Sequence, residues 1–162
     1  MVFHVVSNLE DYYKNIMDKQ WEDKLIICYF TATWCGPCRM ISPDITTLGE
    51  KSNSILVLKI DVDECEDVAA QCEIDCMPTF RFHMENSIEP IQKLMGADKN
   101  KLFNIVGELL GVIHERQAQL AESNNSGGGP ADTNTQPEQE VRRNTEMDVP
   151  FLYNPIPDHK FN

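Results

Sequence analysis

Two cysteines separated by two residues, Cys35 and Cys38, are the side chains of this chain whose type and spacing most directly indicate chemistry. Such a pair serves either as half of a zinc site or as a dithiol that is oxidised and reduced. A structural zinc site needs a second pair of ligands at matching spacing. The other cysteines, with His83, form neither a second C-x-x-C nor an H-x₃-H pattern, so the spacing favours redox chemistry.

The surroundings of the pair separate the roles of its two thiols. The apolar run over residues 25–30 predicts a buried strand before the pair, and the pattern after it predicts a helix. Cys35 is then expected at the helix N-terminus, where free backbone N–H groups and the helix dipole favour a thiolate. Cys38 follows one turn later and deeper. We therefore expect Cys35 to be the exposed nucleophile that attacks a substrate disulfide, and Cys38 to resolve the mixed disulfide.

The elements that must position this pair alternate along the first 122 residues. Apolar patterns predict five strands and four helices in the order β-α-β-α-β-α-β-β-α, with the strands near residues 3–6, 25–30, 55–60, 78–82 and 90–94. This order predicts an α/β fold in which a central mixed sheet, mostly parallel with an antiparallel edge, carries helices on both faces. The segment from Ser7 to Glu10 predicts a capping box for the first helix, and Pro43 is expected to kink the second.

Composition changes near residue 123 and predicts the domain boundary. We expect a folded domain over residues 1–115, with the last helix extending to about residue 122. Residues 123–162 are rich in Ser, Gly, Asn, Gln and Pro, so we expect a disordered tail. The apolar segment 149–153 within it is either a docking motif or a segment that folds back on the domain.

Charge and hydropathy limit the classes of partner. The formal net charge of −12 argues against a nucleic-acid surface, and no run approaches the roughly 18 apolar residues of a membrane span. Residues 1–8 have neither a basic segment nor a long apolar run, so we expect neither a signal peptide nor an Arg-rich transit peptide. The expected location is the cytoplasm, and access to the nucleus is left open.

The segment Trp34-Cys35-Gly36-Pro37-Cys38 resembles the active-site segment of the thioredoxin family. Residues 77–80, Met-Pro-Thr-Phe, resemble the family's cis-proline loop, and residues 96–99 resemble the turn before its last helix. The additional cysteines resemble those of animal cytosolic thioredoxins; they are Cys65, Cys72 and Cys76. The resemblance covers residues 1 to about 115 and implies the thioredoxin fold.

The resemblance also implies roles for individual residues. Gly36 and Pro37 would set the redox poise, while Trp34 would give substrates an apolar contact. Pro78 would be cis and lie against Cys35, leaving the backbone of Thr79 free to pair with an extended substrate. The implied substrate surface comprises Trp34, Met77, Pro78, Thr79 and Gly96. Cys65 and Cys72 are expected to pack in the core, whereas Cys76 would be regulatory, through modification or through pairing of two chains.

The implied activity is that of a protein disulfide reductase and electron carrier. Thioredoxin reductase and disulfide-containing proteins would be its partners, and NADPH would be used only through that reductase, so no bound cofactor or metal is expected. The expected state is a monomer, with an oxidised dimer through Cys76 as the alternative. A disulfide isomerase is disfavoured by Pro37 and by the lack of an export signal.

The chain departs from the family at Tyr29, where a buried aspartate usually takes the proton of the resolving cysteine. Lys59 matches a lysine found near that aspartate in some members. A tyrosine with an unperturbed pKa of about 10 is mostly protonated near neutrality. We therefore expect Cys38 to lose its proton less readily, through water, Lys59 or the departing thiolate. The alternative is that Tyr29 simply packs and water already accepts the proton. Weakened turnover would also fit an alternative function, a redox-sensitive adaptor or binding module.

Overall fold

The computed structural model describes residues 3–123, which belong to one unit. The five strands are β1 (Phe3–Val5), β2 (Leu25–Thr31), β3 (Ile55–Asp61), β4 (Thr79–His83) and β5 (Gln92–Met95). The four α-helices are α1 (Leu9–Met17), α2 (Gly36–Lys51), α3 (Glu66–Gln71) and α4 (Lys99–Ser123). This order confirms the predicted alternation, apart from an unpredicted single turn of 3₁₀ helix at Lys19–Trp21. The expected disordered tail lies outside the described residues, except for Ser123.

The sheet has the strand order β1-β3-β2-β4-β5. The pairs β1–β3 and β3–β2 are parallel, whereas β2–β4 and β4–β5 are antiparallel, which confirms the predicted mixed sheet. Strand β2 lies at its centre, and all seven of its residues are buried. A strand covered on both faces is uniformly apolar for this reason.

Alternate side chains of β2 divide the core into two layers. Leu25, Ile27 and Tyr29 face the layer formed with α2 and α4, and Ile26, Cys28 and Phe30 face the layer formed with α1 and α3. This period of two follows from the pleat of the strand. It decides which residues at the end of β2 point beneath the first turns of α2.

The capping-box prediction for α1 is wrong. The N-cap is Asn8, whose side chain accepts a hydrogen bond from the backbone N–H of Asp11 at 2.9 Å. The backbone N–H of Ser7 donates to the Asp11 carboxylate at 3.0 Å. Asn8 is itself a favoured N-cap residue, and Asp11 stands three positions after it, so the helix begins one residue later than a Ser7 cap would require.

The ends of α3 are occupied by two of the additional cysteines. Cys65 is the N-cap residue and Cys72 the C-cap residue, with 1% and 6% of their surfaces exposed. Both thiols therefore pack in the core, as expected, although they flank the helix and do not lie within it. No helix in residues 3–123 is both long and apolar enough to span a membrane.

Candidate active site

Cys35 and Cys38 lie where the chain passes from β2 into α2. Cys35 is the N-cap of α2, and the two cysteines form a disulfide with their Cα atoms 5.3 Å apart. The backbone N–H of Cys38 donates to Cys35 Sγ at 3.2 Å. In the reduced protein the same N–H group and the helix dipole favour the thiolate of Cys35. The predicted placement of Cys35 at a helix N-terminus is confirmed.

The prediction that Cys35 is exposed is wrong for this oxidised form. Only 4% of its surface is exposed, against 1% for Cys38. In this oxidised form Cys35 Sγ is bonded to one sulfur and accepts a hydrogen bond from the helix N-terminus, so little of it faces solvent. Cys35 is still the more accessible of the two.

The two residues between the cysteines form the first positions of α2. Pro37 is tolerated there because the first N–H groups of a helix have no intrahelical partner. A Cβ atom at Gly36 would meet no other atom within 4 Å. The space beside Gly36 is therefore open to an approaching substrate.

Trp34 stands beside the pair with 64% of its surface exposed. Its indole Nε1–H donates to Asp63 Oδ2 at 2.8 Å, so the loop after β3 orients this ring. Asp63 was not among the site residues predicted from the sequence. The sequence feature that could have indicated it is the group of three acidic residues within 61–64, at the end of a predicted buried strand.

The loop before β4 approaches the same region. The Met77–Pro78 peptide bond is cis, as the resemblance implied. The carbonyl of Pro78 accepts a hydrogen bond from the N–H of Gly96 at 2.8 Å. Gly96 has φ +89°, a conformation that favours glycine over other residues. This bond joins the cis-proline loop to the turn before α4.

The expectation that the backbone of Thr79 is free is wrong. Thr79 is the first residue of β4 and pairs with Phe30 of β2 on one side and with Met95 of β5 on the other. Neighbouring strands of the sheet therefore lie on both sides of Thr79. Met77 lies outside the strands, and its backbone groups have no hydrogen-bond partner among residues 3–123.

Cys76 borders the cis-proline loop. Its Sγ lies 3.8 Å from Thr79 Oγ1, and its carbonyl accepts a hydrogen bond from that hydroxyl at 2.8 Å. The free cysteines Cys28, Cys65 and Cys72 are buried, whereas Cys76 is partly exposed. Within residues 3–123 no group of three or more His, Cys, Asp or Glu side chains is arranged to hold a metal ion.

Tyr29 packs beneath the active site with 1% of its surface exposed. Its ring stacks on Phe80 with the ring centroids 5.2 Å apart, and its hydroxyl donates to the carbonyl of Cys38 at 3.0 Å. Burial raises the pKa of the Tyr29 phenol, and hydrogen bonds with Thr31 and Ser42 oppose this shift in part. The phenol is therefore protonated near neutrality and does not serve as a base.

A small pocket of about 130 Å³ lies next to Cys38. Its wall is formed by the ends of β2 and β3 and by the first turns of α2. Tyr29 of β2 and Arg39 of α2 are among the lining residues. We call it the Cys38 pocket; its other polar side chains are those of Thr31, Thr33, Ser42, Lys59 and Asp61. Lys59 stands opposite Tyr29 in the parallel register of β2 and β3, which brings it to the site.

Comparisons with known proteins agree with this geometry. The family model for thioredoxin matches residues 4–108. The thioredoxin of Oryctolagus cuniculus is 47% identical over 88 residues, which cover 54% of this chain and 82% of that protein. Human thioredoxin is 46% identical over the same length and with the same coverage.

Solved structures of thioredoxins have the same fold. A poplar thioredoxin h has a TM-score of 0.62 and 33% identity, covering 68% of this chain and 97% of its own. The germline-specific thioredoxin Deadhead of Drosophila melanogaster has a TM-score of 0.57 and 39% identity, covering 65% of this chain and 97% of its own.

The family model covers more than half of the chain and includes the disulfide at the start of α2, the cis-proline loop and the Gly96 turn. Members of this family reduce protein disulfides and are reduced in turn by thioredoxin reductase. The chain is therefore a thiol–disulfide oxidoreductase that acts as a protein disulfide reductase, and it belongs to the thioredoxin family.

Proposed function

We propose that this chain carries electrons from a thioredoxin reductase, and ultimately from NADPH, to disulfides of substrate proteins. The Cys35 thiolate attacks one sulfur of the substrate disulfide, and the other sulfur leaves as a thiolate. The Cys38 thiolate then attacks Cys35 Sγ, which closes the intramolecular disulfide and releases the second substrate sulfur. The observation that carries this proposal is the position of Cys35 Sγ at the N-terminus of α2, bonded by the N–H of Cys38.

The substrate surface that we propose surrounds Cys35. Trp34 supplies an exposed apolar face, and Met77 supplies backbone groups for an extended substrate segment. Pro78 and Gly96, joined by a hydrogen bond, hold the loop that carries Met77. Gly36 and Pro37, in the first turn of α2, set the reduction potential of the cysteine pair. Thr79 contributes through its hydroxyl, which holds the carbonyl of Cys76.

The folded unit that we propose for this activity is the expected domain, residues 1–115 with α4 extending beyond it, and the tail from residue 123 is not required. The four free thiols among the described residues fit a reducing compartment. Cytosolic and nuclear proteins rarely keep disulfides, so we propose one of these locations.

The proposed electron flow predicts turnover in a coupled assay. Reduced thioredoxin reductase, NADPH, this chain and a protein with an accessible disulfide should together oxidise NADPH continuously. Omitting either the reductase or the chain should stop the reaction, and alkylating the reduced chain should do the same. A chain that is folded and reduced but does not turn over would contradict electron transfer and would favour the adaptor function.

We propose that the chain is a monomer when reduced and that Cys76 joins two chains on oxidation. Mild oxidation should give a dimer band on non-reducing electrophoresis, and Cys76→Ser should abolish it because Cys76 is the partly exposed free thiol of the described domain. Cys72→Ser is the matched control, since Cys72 is buried. A dimer that persists in Cys76→Ser would exclude this contact.

A further inference from the structure

The resolving step leaves one proton without an evident acceptor. Cys38 must be a thiolate when it attacks Cys35, so its thiol proton has to leave. The buried phenol of Tyr29 is protonated and donates to the Cys38 carbonyl. Another group must therefore receive the proton or pass it to solvent.

The strand pleat places polar groups beside Cys38. On β3 the row that faces α2 begins with Ile55 and Val57, which pack in the core, and ends with Lys59 and Asp61. Asp61 stands opposite Thr31 at the carboxyl end of β2. The change from apolar to polar residues along this face of the sheet lies beneath the first turns of α2.

The Cys38 pocket connects the buried thiol to this polar row. It is lined by Cys38 at one wall and by Lys59 and Asp61 at another, with the hydroxyl groups of Thr31 and Ser42 among the remaining lining. Its volume of about 130 Å³ has room for several water molecules, since each takes on the order of 30 Å³ in the liquid. Asp61 is the sole carboxylate among its lining residues.

The carboxylate of Asp61 is held in place. Its Oδ1 accepts a hydrogen bond from the backbone N–H of Asp63 at 3.1 Å. Asp63 in turn accepts the indole N–H of Trp34 at 2.8 Å. The same loop therefore fixes the carboxylate in the pocket and the ring beside the redox pair.

We propose that Asp61 accepts, through water in the Cys38 pocket, the proton that Cys38 loses during resolution. The inference rests on the proposed reductase cycle and names the base of its second step. The Cys38 S–H bond breaks as water takes the proton and a second proton passes to Asp61. The thiolate forms the Cys38–Cys35 bond, the bond from Cys35 to the substrate breaks, and the departing thiolate takes a proton from solvent. No external oxidant is needed, since the substrate sulfur is reduced and Cys38 is oxidised.

A substitution of nearly the same size and shape that removes the carboxylate isolates this step. The mixed disulfide between Cys35 and thionitrobenzoate is formed at acidic pH, where Cys38 is protonated, and a jump to pH 7 starts resolution. The rate is followed by the absorbance of released thionitrobenzoate. Asp61→Asn should slow release about tenfold, less than the 10²–10⁴-fold that general base catalysis typically contributes, because Asp61 is partly exposed and acts through water.

Four further results are expected if Asp61 is the acceptor. The defect of Asp61→Asn should shrink as the pH rises past the ordinary thiol pKa of about 8.5, where Cys38 ionises without help. Added formate should restore part of the rate at pH 7, and Asp61→Glu should keep most of it. Asp23→Asn, with the same loss of charge at an exposed position before β2, should release thionitrobenzoate at the wild-type rate.

Equal rates for Asp61→Asn and the wild type at pH 7 would overturn the inference. A loss that is constant across pH and insensitive to formate would overturn it too, since that result indicates a structural role. The coupled assay separates this failure from failure of the cycle: a wild type that resolves the mixed disulfide normally but never turns over with reductase contradicts the electron-carrier proposal alone.

Discussion

The Cys38→Ser variant should stop the cycle with a substrate protein attached covalently to Cys35, whereas Cys35→Ser should form no such adduct. Cys35 sits at the N-terminus of α2 with an N–H group on its sulfur, so its attack does not need the second thiol. Cys38 has 1% of its surface exposed and is placed to react with Cys35 alone. Steady-state turnover should be abolished in both variants. Non-reducing electrophoresis and mass spectrometry of the adduct distinguish them.

A third cysteine variant serves as the control for these two. Cys72→Ala should turn over at a rate near that of the wild type, because Cys72 lies at the end of α3 in the layer away from the redox pair. A stable adduct in Cys35→Ser, or its absence in Cys38→Ser, would reverse the assignment of attacking and resolving thiols.

The Tyr29→Asp variant should resolve mixed disulfides faster and unfold more easily. A carboxyl group at this buried position would have a raised pKa and would lie below Cys38, which makes it an effective base near neutrality. We expect the resolution rate at pH 7 to rise by about tenfold or more, toward the roughly 10²–10⁴-fold that general base catalysis typically contributes. Loss of the ring stacked on Phe80 should cost about 3–5 kcal/mol, the range for deleting a buried aromatic side chain.

Tyr29→Phe separates the hydroxyl group from the ring. It keeps the stacking on Phe80 and removes only the hydrogen bond to the Cys38 carbonyl, so it should cost about 1 kcal/mol and should not speed resolution. Denaturant unfolding gives the stability of both variants, and thiol titration gives the ionisation of Cys38. Unchanged turnover together with an unchanged Cys38 titration in Tyr29→Asp would show that proton loss does not limit resolution.

Much of the fold follows from patterns that are local in the chain. The apolar run of β2, the helical periodicity after Cys35 and the polar segment between β4 and β5 each depend on neighbours a few residues away. The mixed sheet follows from the order of these elements and from the preference for short connections. The N-cap of α1 was misplaced because Ser7 and Asn8 are both good caps, and only the hydrogen bonds of Asp11 distinguish them.

The position of Cys35 was also predictable from the chain alone, because a strand-to-helix junction places the first cysteine of the pair at the helix N-terminus. Whether the backbone of Thr79 was free could not be predicted in this way. That depends on β2 and β5 occupying both sides of β4, and β2 is about fifty residues earlier in the chain.

The sequence by itself determined the redox pair, the position of Cys35 at a helix N-terminus and the missing carboxylate at residue 29. Only the tertiary structure decided what surrounds the resolving end: the phenol of Tyr29 directed at the Cys38 backbone, and Asp61 on the wall of the Cys38 pocket. The physical reason is that a helix dipole and a strand pleat arise from adjacent residues. A pocket arises where separate elements meet, here where β3 packs beside β2 beneath α2.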